Sequence, residues 1–460
     1  MKKIISFSAV LFFSVSLFAQ IETVLPSMRG LYQAGFVNPA FLPEHKIQIG
    51  LPALNNVGLD LNLNGINAKG VIDSKDTAGI VDMDKLAKNI EGDAFGFRYA
   101  YVMDYIYVSF PISHGFYMGL GAQINNQLNF NISKQLLAAD IFSAGNTVSL
   151  SGTGAQIMTY SNINVSLAKV IKNKFTVGGR FKYLIGHGYA AIEDFEVSTT
   201  TGANAPYPIQ VNANGKILTS GLPVLFNEVN GQPTTEDQKK FEPNKLIFPK
   251  NSGFAIDLGM TYKFDKKISM YAALNDLGFI KWRQQAYQYD LSNVQVNYEG
   301  LTYDLLNSPT RRQEYFDSLL ALFDRTTLSE KAFTRWLSAR YMAGVDYDIT
   351  KRDRFGILLQ AQTLPSFTTF AATASYTRAF GKVLRLHVNY SYLSDAQSAV
   401  GVGMELKMGP VQLYFVQNNV LMWTNLAEAN VLAFRLGINL VFGQSQYYKD
   451  REAEYASDAK

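Results

Sequence analysis

Residues 253–282 read GFAIDLGMTYKFDKKISMYAALNDLGFIKW. Over its first part Phe254, Ile256, Leu258, Met260, Tyr262 and Phe264 alternate with Ala255, Asp257, Gly259, Thr261 and Lys263. A two-residue period puts the first set on one face of a strand and the second set on the other. Such a strand normally turns its oily face to a protein core. The pattern recurs along most of the chain with charge opposite the oily face. Leu384, Leu386, Val388, Tyr390 and Tyr392 oppose Arg385, His387, Asn389 and Ser391. Val400, Val402, Met404, Leu406 and Met408 oppose Glu405 and Lys407, and Leu432 to Phe442 oppose Arg435, Gly437 and Asn439.

Candidate strands cover roughly 95–102, 104–113, 115–131, 155–171, 175–200, 252–264, 268–282, 337–349, 354–363, 368–380, 384–394, 398–408, 411–421 and 430–442. Short turns at 172–174, 265–267, 350–353, 381–382 and 409–410 alternate with longer loops, notably 201–251 and 283–336. Short turns at one end and long loops at the other are the mark of an outer-membrane barrel. The fold predicted is all-β: a transmembrane antiparallel barrel of about fourteen strands, or sixteen, with an N-terminal plug and short helices in loops. Lipid is then the solvent of the oily faces, and closure satisfies every backbone group without an edge. A soluble sandwich would reverse the two faces. Against it stand 31 Phe and 26 Tyr, with Phe175, Phe264, Phe380 and Phe442 beside short turns. Trp282, Trp336 and Trp423 fall at long-loop ends, as an aromatic girdle requires.

Composition narrows the function. The chain has 460 residues, no Cys and only four His, so thiol chemistry and a Cys or His metal centre are not expected, and no cofactor is implied. A net charge of +4 over that length argues against nucleic acid. Met1-Lys2-Lys3, the apolar run Ile4 to Phe18 and Leu17-Phe18-Ala19 read as a signal peptide over 1–19. Residues 20–94 are assigned to a plug or hatch segment, with one or two short strands over 46–65 and a short helix over 79–91. The barrel is assigned to 95–443 and a polar periplasmic tail to 444–460. An even strand number puts both termini in the periplasm.

GFAIDLGMTYKF followed by LNDLGFIKW, the N-terminal NPAFLP and the closing LGINLVFG resemble an uncharacterised outer-membrane barrel family of Bacteroidota. More distantly, Asn38-Pro39-Ala40 ahead of about fourteen strands is similar to the long-chain fatty-acid transporter superfamily. That likeness implies an N-terminal hatch folded back into the lumen. A carrier barrel of type IX protein secretion resembles the same superfamily, so fold alone does not choose a role.

For chemistry, Gly186-His187-Gly188-Tyr189-Ala190-Ala191 fits a dinucleotide pattern but lies inside a strand. GxSxG and HExxH do not occur. His387 between Arg385 and Asn389, and Asp346 with Asp348, read as lumen polar ladders more readily than as acid–base groups. No enzyme is expected. Asp257, Lys263, Arg340, Asp346, Asp348, Arg385, His387, Glu405, Lys407 and Arg435 should face the lumen and hold a ligand or the plug. Thr23 to Pro43, with Phe36, Phe41, Leu31 and Tyr32, is apolar enough to need burial, so it should enter or cap the lumen, with Asn38 and Pro39 of the Asn38-Pro39-Ala40 plug motif fixing a turn. In the 283–336 loop, Phe316, Leu319, Leu320 and Phe323 fit one helical face. Thr327 to Glu330 fits a capping box opening a second helix with Phe333, Trp336 and Leu337. The 201–251 loop, with six prolines, should be irregular.

The function expected is binding or passage of a small, hydrophobic molecule through a plugged outer-membrane barrel in contact with membrane lipid. The alternative is a non-transport scaffold or carrier partner in a secretion or surface-protein complex. An apolar pocket beside the plug favours the first; a lumen filled by side chains favours the second.

Overall fold

The computed structural model describes residues 22–446, 448 and 449, except 67, 76–82, 93, 114, 135–144, 146, 150–152, 205–207, 222–249, 299–326, 365–366, 394–397 and 424–430. The wall is a closed antiparallel barrel of 14 strands. Its first strand is interrupted: β1 (His45–Gly50) and β2 (Val57–Asn64) both pair with β20 (Val431–Gln444) on one side and β3 (Ala94–Ser113) on the other, which closes the ring. The order continues through β4 (Phe116–Ser133), β6 (Gly154–Ile171), β7 (Phe175–Thr201), β9 (Ser252–Lys263) and β10 (Ile268–Trp282). It returns through β14 (Arg340–Asp348), β15 (Asp353–Leu364), β16 (Phe367–Phe380), β17 (Leu384–Leu393), β18 (Ser398–Met408) and β19 (Val411–Gln417).

The outer surface follows from the alternation. Phe254, Ile256, Leu258, Met260, Tyr262 and Phe264 are all exposed, whereas Ala255 and Asp257 between them are buried. A wall that is apolar outside and polar inside is built for a bilayer. A membrane-crossing strand needs only about 9–11 residues. β7, at 27 residues, far exceeds that. On the long-loop side it carries β5 (Thr147–Ser149) on one edge and β8 (Ile209–Ser220) on the other; β8 pairs with β11 (Tyr287–Tyr298), and β11 with β12 (Thr327–Glu330).

Several elements differ from the sequence reading. Residues 94–113 form one strand rather than two, because Tyr105 is absorbed as a bulge between the Asp104 and Ile106 pairings. The wall starts at His45, not at 95, because the strands over 46–65 span it in two pieces. These differences offset each other in the strand count. The expected second helix of the 283–336 loop is strand instead: Thr327–Glu330 pairs with Tyr287–Asp290, and β13 (Phe333–Trp336) pairs with Phe279–Trp282. Open strand edges beside this loop satisfy its backbone groups, which outweighs a four-residue capping pattern. Phe316, Leu319, Leu320 and Phe323 lie outside the described residues. The 201–251 loop is partly strand, as β8; its prolines other than Pro208 lie outside the described residues. The short helix over 79–91 is α2 (Met83–Asn89), preceded by α1 (Ala68–Asp73); Ile66, Leu86 and Ile90 form a small core against Phe95. Residues 1–19 and 450–460 lie outside the described residues.

Trp282 is the clearest correction. It is 0% exposed, against 68% for Trp336 and 62% for Trp423. β10 pairs Leu274 with Leu258 but Leu277 with Ile256, so one extra residue enters near Asp276, whose φ is +61°. A bulge swaps the faces of every residue beyond it. Trp282 therefore turns inward onto Met158, Tyr189, Leu218 and Leu337. In single-tryptophan variants reconstituted with brominated acyl chains, Trp336 and Trp423 should be quenched and Trp282 should not. Trp282→Ala should cost about 3–5 kcal/mol in urea unfolding, whereas Trp336→Ala should cost under ~1.

Candidate functional site: the segment inside the barrel

Residues 22–44 fill the lumen from within. Val24, Leu25, Met28, Leu31 and Val37 pack with Tyr271, Ala273, Met342, Leu358, Tyr414 and Val416 of the inner wall in one apolar cluster. Burying each such aliphatic side chain is worth about 1.5–3 kcal/mol. Two short 3-10 turns, Leu25–Ser27 and Tyr32–Phe36, fold the segment to fit. Tyr32 stacks on Tyr107 of β3 with ring centres 4.0 Å apart.

Asn38-Pro39-Ala40 sits in a niche made by two glycines. Gly178 of β7 and Gly259 of β9 are cross-strand partners. A Cβ on Gly178 would collide with the Pro39 carbonyl, and one on Gly259 with the Asn38 side chain. Asn38 Oδ1 accepts from Ala40 N at 2.9 Å, closing an Asx turn. Its Nδ2 donates to the carbonyls of Ala272 (3.2 Å) and Met260 (3.4 Å). Asn275 beside the β10 bulge donates to Val37 O at 2.7 Å.

Polar contacts run the length of the segment. Gln33 and Asn439 exchange amide hydrogen bonds of 2.9 and 3.1 Å. Arg180 Nη2 donates to Gly35 O at 2.6 Å. Each charge of the segment meets a wall charge: Glu22 with Arg435 at 2.6 Å, Arg29 with Asp346 at 2.9 Å, Glu44 with Arg385 at 2.9 Å. The Arg29 guanidinium also lies over the Phe41 ring, 3.2 Å from its centre. At the short-turn end, Ser445 N donates to Glu44 O and the Tyr448 hydroxyl to Arg29 O, so the start of the tail folds against the segment.

The ten charged positions expected in the lumen are all placed on the inner side, in four groups. Arg385 bridges Glu44 and Glu405, and His387 Nε2 faces Glu405 Oε1 at 3.0 Å. His387 Nδ1 is met by the hydroxyls of Thr377 and Ser27 at 2.8 and 3.2 Å, so the ring is held on every polar atom. Asp346 takes Arg29, and Asp348 takes Arg354 at 2.7 Å. Asp257 receives Arg180 and Lys182, and Lys182 with Arg340 closes on Asp276. Lys407 Nζ approaches His45 Nε2 at 2.6 Å, Arg435 binds Asn56 as well as Glu22, and Lys263 lines a small cavity beside Asp346 and Asp348.

Sequence reasoning missed Arg180, Lys182, Asp276 and the glycine niche. Asp276 falls on the outer face of an uninterrupted strand and only the bulge brings it in. The segment's own charges were visible: Glu22, Arg29 and Glu44 punctuate an otherwise uncharged 20–44 stretch. Gly186-His187-Gly188 is another bulge, opposite Thr159 and Tyr160, with Trp282 packed on Gly186.

Among the described residues the two best-formed cavities enclose about 60 and 20 Å³. An apolar cavity of about 150 Å³ is what benzene occupies in a protein interior. The lumen is full.

Residues 39–418 match one family model, the Family of unknown function (DUF5723). The chain belongs to DUF5723. No curated protein matches this DUF5723 member by sequence. Its structure is similar to a Pseudomonas aeruginosa FadL homologue (10% identity, TM-score 0.45, covering 90% of this chain and 94% of that chain). It is also similar to the Ralstonia pickettii toluene transporter TbuX (9%, 0.43, 89% and 93%). A third likeness is to the translocator domain of the autotransporter NalP from Neisseria meningitidis (6%, 0.33, 86% and 88%). At these identities and scores the likenesses decide nothing about DUF5723 activity.

The niche makes a direct prediction. In Gly178→Val the segment should leave its seat, so that trypsin cuts after Arg29 in barrels that otherwise stay folded; the parent chain should resist. Asn38→Ala, which loses both wall hydrogen bonds and the Asx turn, should cost about 1–3 kcal/mol in the same unfolding assay.

Proposed function

We propose that this DUF5723 member is an outer-membrane barrel, exported by a cleaved signal and with both termini periplasmic. It binds or passes a small hydrophobic molecule when its N-terminal segment gives way. We read it as a non-enzyme whose lumen charges act as fasteners. One observation carries the reading. The lumen wall carries an apolar strip, Tyr271, Met342, Leu358, Tyr414 and Val416, and the segment's Val24, Leu25, Met28 and Leu31 occupy it. Displacing the segment uncovers a binding surface for an apolar molecule inside a charged tube. Asn38-Pro39-Ala40 in its niche would be the pivot, and the ion pairs of Glu22, Arg29 and Glu44 the releasable contacts.

A specific observation also favours a second reading, the scaffold or carrier partner. The cavities beside the segment, about 60 and 20 Å³, leave no room there for a benzene-sized molecule. On that reading the segment is a permanent core and a secretion or surface-protein partner docks outside.

A disulfide staple separates the two. Val24 lies against Gly401 closely enough for Val24→Cys with Gly401→Cys to be bridged, and the chain has no other Cys. Uptake of the hydrophobic fluorophore N-phenyl-1-naphthylamine into vesicles carrying the protein should stop on oxidation and return on reduction. No uptake in either state, with a stoichiometric protein partner recovered from gently solubilised membranes, would support the scaffold reading instead.

A further inference from the structure

We propose that the lumen above the N-terminal segment binds an extended polypeptide segment through a ladder of carboxamides on β4. The inward positions of Gln123-Ile-Asn-Asn-Gln-Leu-Asn-Phe-Asn131 are Gln123, Asn125, Gln127, Asn129 and Asn131 without exception. The intervening face carries Ile124, Asn126, Leu128 and Phe130 outward, with Asn126 donating to Thr159 Oγ1 at 3.0 Å. The lowest rung is saturated: Gln123 donates to Asp104 Oδ1 at 2.6 Å and accepts from Asn125 and Asn162. The N-terminal segment reaches the same level on this wall, where the Tyr32 hydroxyl meets Asp104 Oδ2 at 3.4 Å. Above it the ladder is open among the described residues. Asn129 accepts from Arg98 Nε at 2.9 Å, but Gln127 and Asn131 make no side-chain hydrogen bond to any other described residue, and both are half-exposed. Their β3 neighbours are short: Ala100 stands beside Gln127 and Gly96 beside Asn131.

The chemistry selects the ligand. Each carboxamide offers a donor and an acceptor without charge, as a peptide group does. Same-face side chains of a strand recur every two residues, about 6.6–6.8 Å, and the backbone groups along one edge of an extended peptide recur at the same interval. A row of Asn and Gln at that period therefore matches a peptide backbone rung for rung, whatever the peptide's side chains. The site lies toward the long-loop end of β4.

The test uses the full-length protein in lipid nanodiscs and two capped eight-residue peptides, one alternating Ser and Val, the other Thr and Ala. Both should bind. Methylating alternate backbone nitrogens, or substituting Gln127→Leu, Asn129→Leu and Asn131→Leu together, should weaken binding about tenfold or more. If the triple variant fails to fold, Gln127→Leu alone serves, since that side chain holds no other described residue. Binding of neither peptide, binding indifferent to N-methylation or to the substitutions, or preferential binding of maltoheptaose overturns the proposal. So does a photo-crosslinker at position 127 that captures only this chain's own loops in the presence of peptide.

Discussion

A barrel of fourteen strands is wider than its own inward side chains can fill, and an unfilled lumen is a channel. In this protein the missing volume is supplied by residues 22–44, and much of the interior is arranged around that filling. Gly178 and Gly259 lack side chains where Pro39 and Asn38 need the space. Asn275 reaches the Val37 carbonyl from the regular inward face of β10, and the bulge beside it turns Asp276 to the inner cations. Gly437 admits the backbone of Asn55, which lies in the break between β1 and β2 and accepts from Gln33. The tail's first residues then latch the same segment at the short-turn end.

The two kinds of contact do different work. The apolar cluster of Val24, Leu25, Met28 and Leu31 supplies stability in proportion to the area it removes from water. The buried ion pairs add less than their number suggests, because each charge loses hydration on entering the lumen. What they set is register: an unpaired Arg435, Arg385 or Asp346 is far costlier than a paired one, so Glu22, Glu44 and Arg29 have one acceptable placement. A segment held by register-setting charges over an apolar strip is well fixed when seated, and leaves behind a usable surface when displaced.

The sequence carried the outer face of the barrel almost completely. Alternation in 253–264, 384–392 and 432–442 predicted which side chains meet lipid, since a two-residue period survives any error in strand pairing. It failed at bulges. Tyr105, His187 and Asp276 each add one residue to a strand without any change in composition, and each exchange of faces beyond them is invisible until the partner register is known. That is why Trp282 reads as a girdle residue and is a core residue. The break between β1 and β2 makes the first wall strand read as short strands of the plug segment. Pairings such as Glu44 with Arg385, or Gln33 with Asn439, join residues hundreds of positions apart and follow only from closure of the ring.

The central claim is that residues 22–44 are a folded part of the lumen at rest. Amide hydrogen exchange on the full-length protein in lipid tests it most directly. The backbone amides of Val24 to Leu42 should exchange as slowly as those of β9 and β17. Exchange as fast as that of the short turns at 265–267 would contradict the account, leaving the lumen open and its charges paired with water.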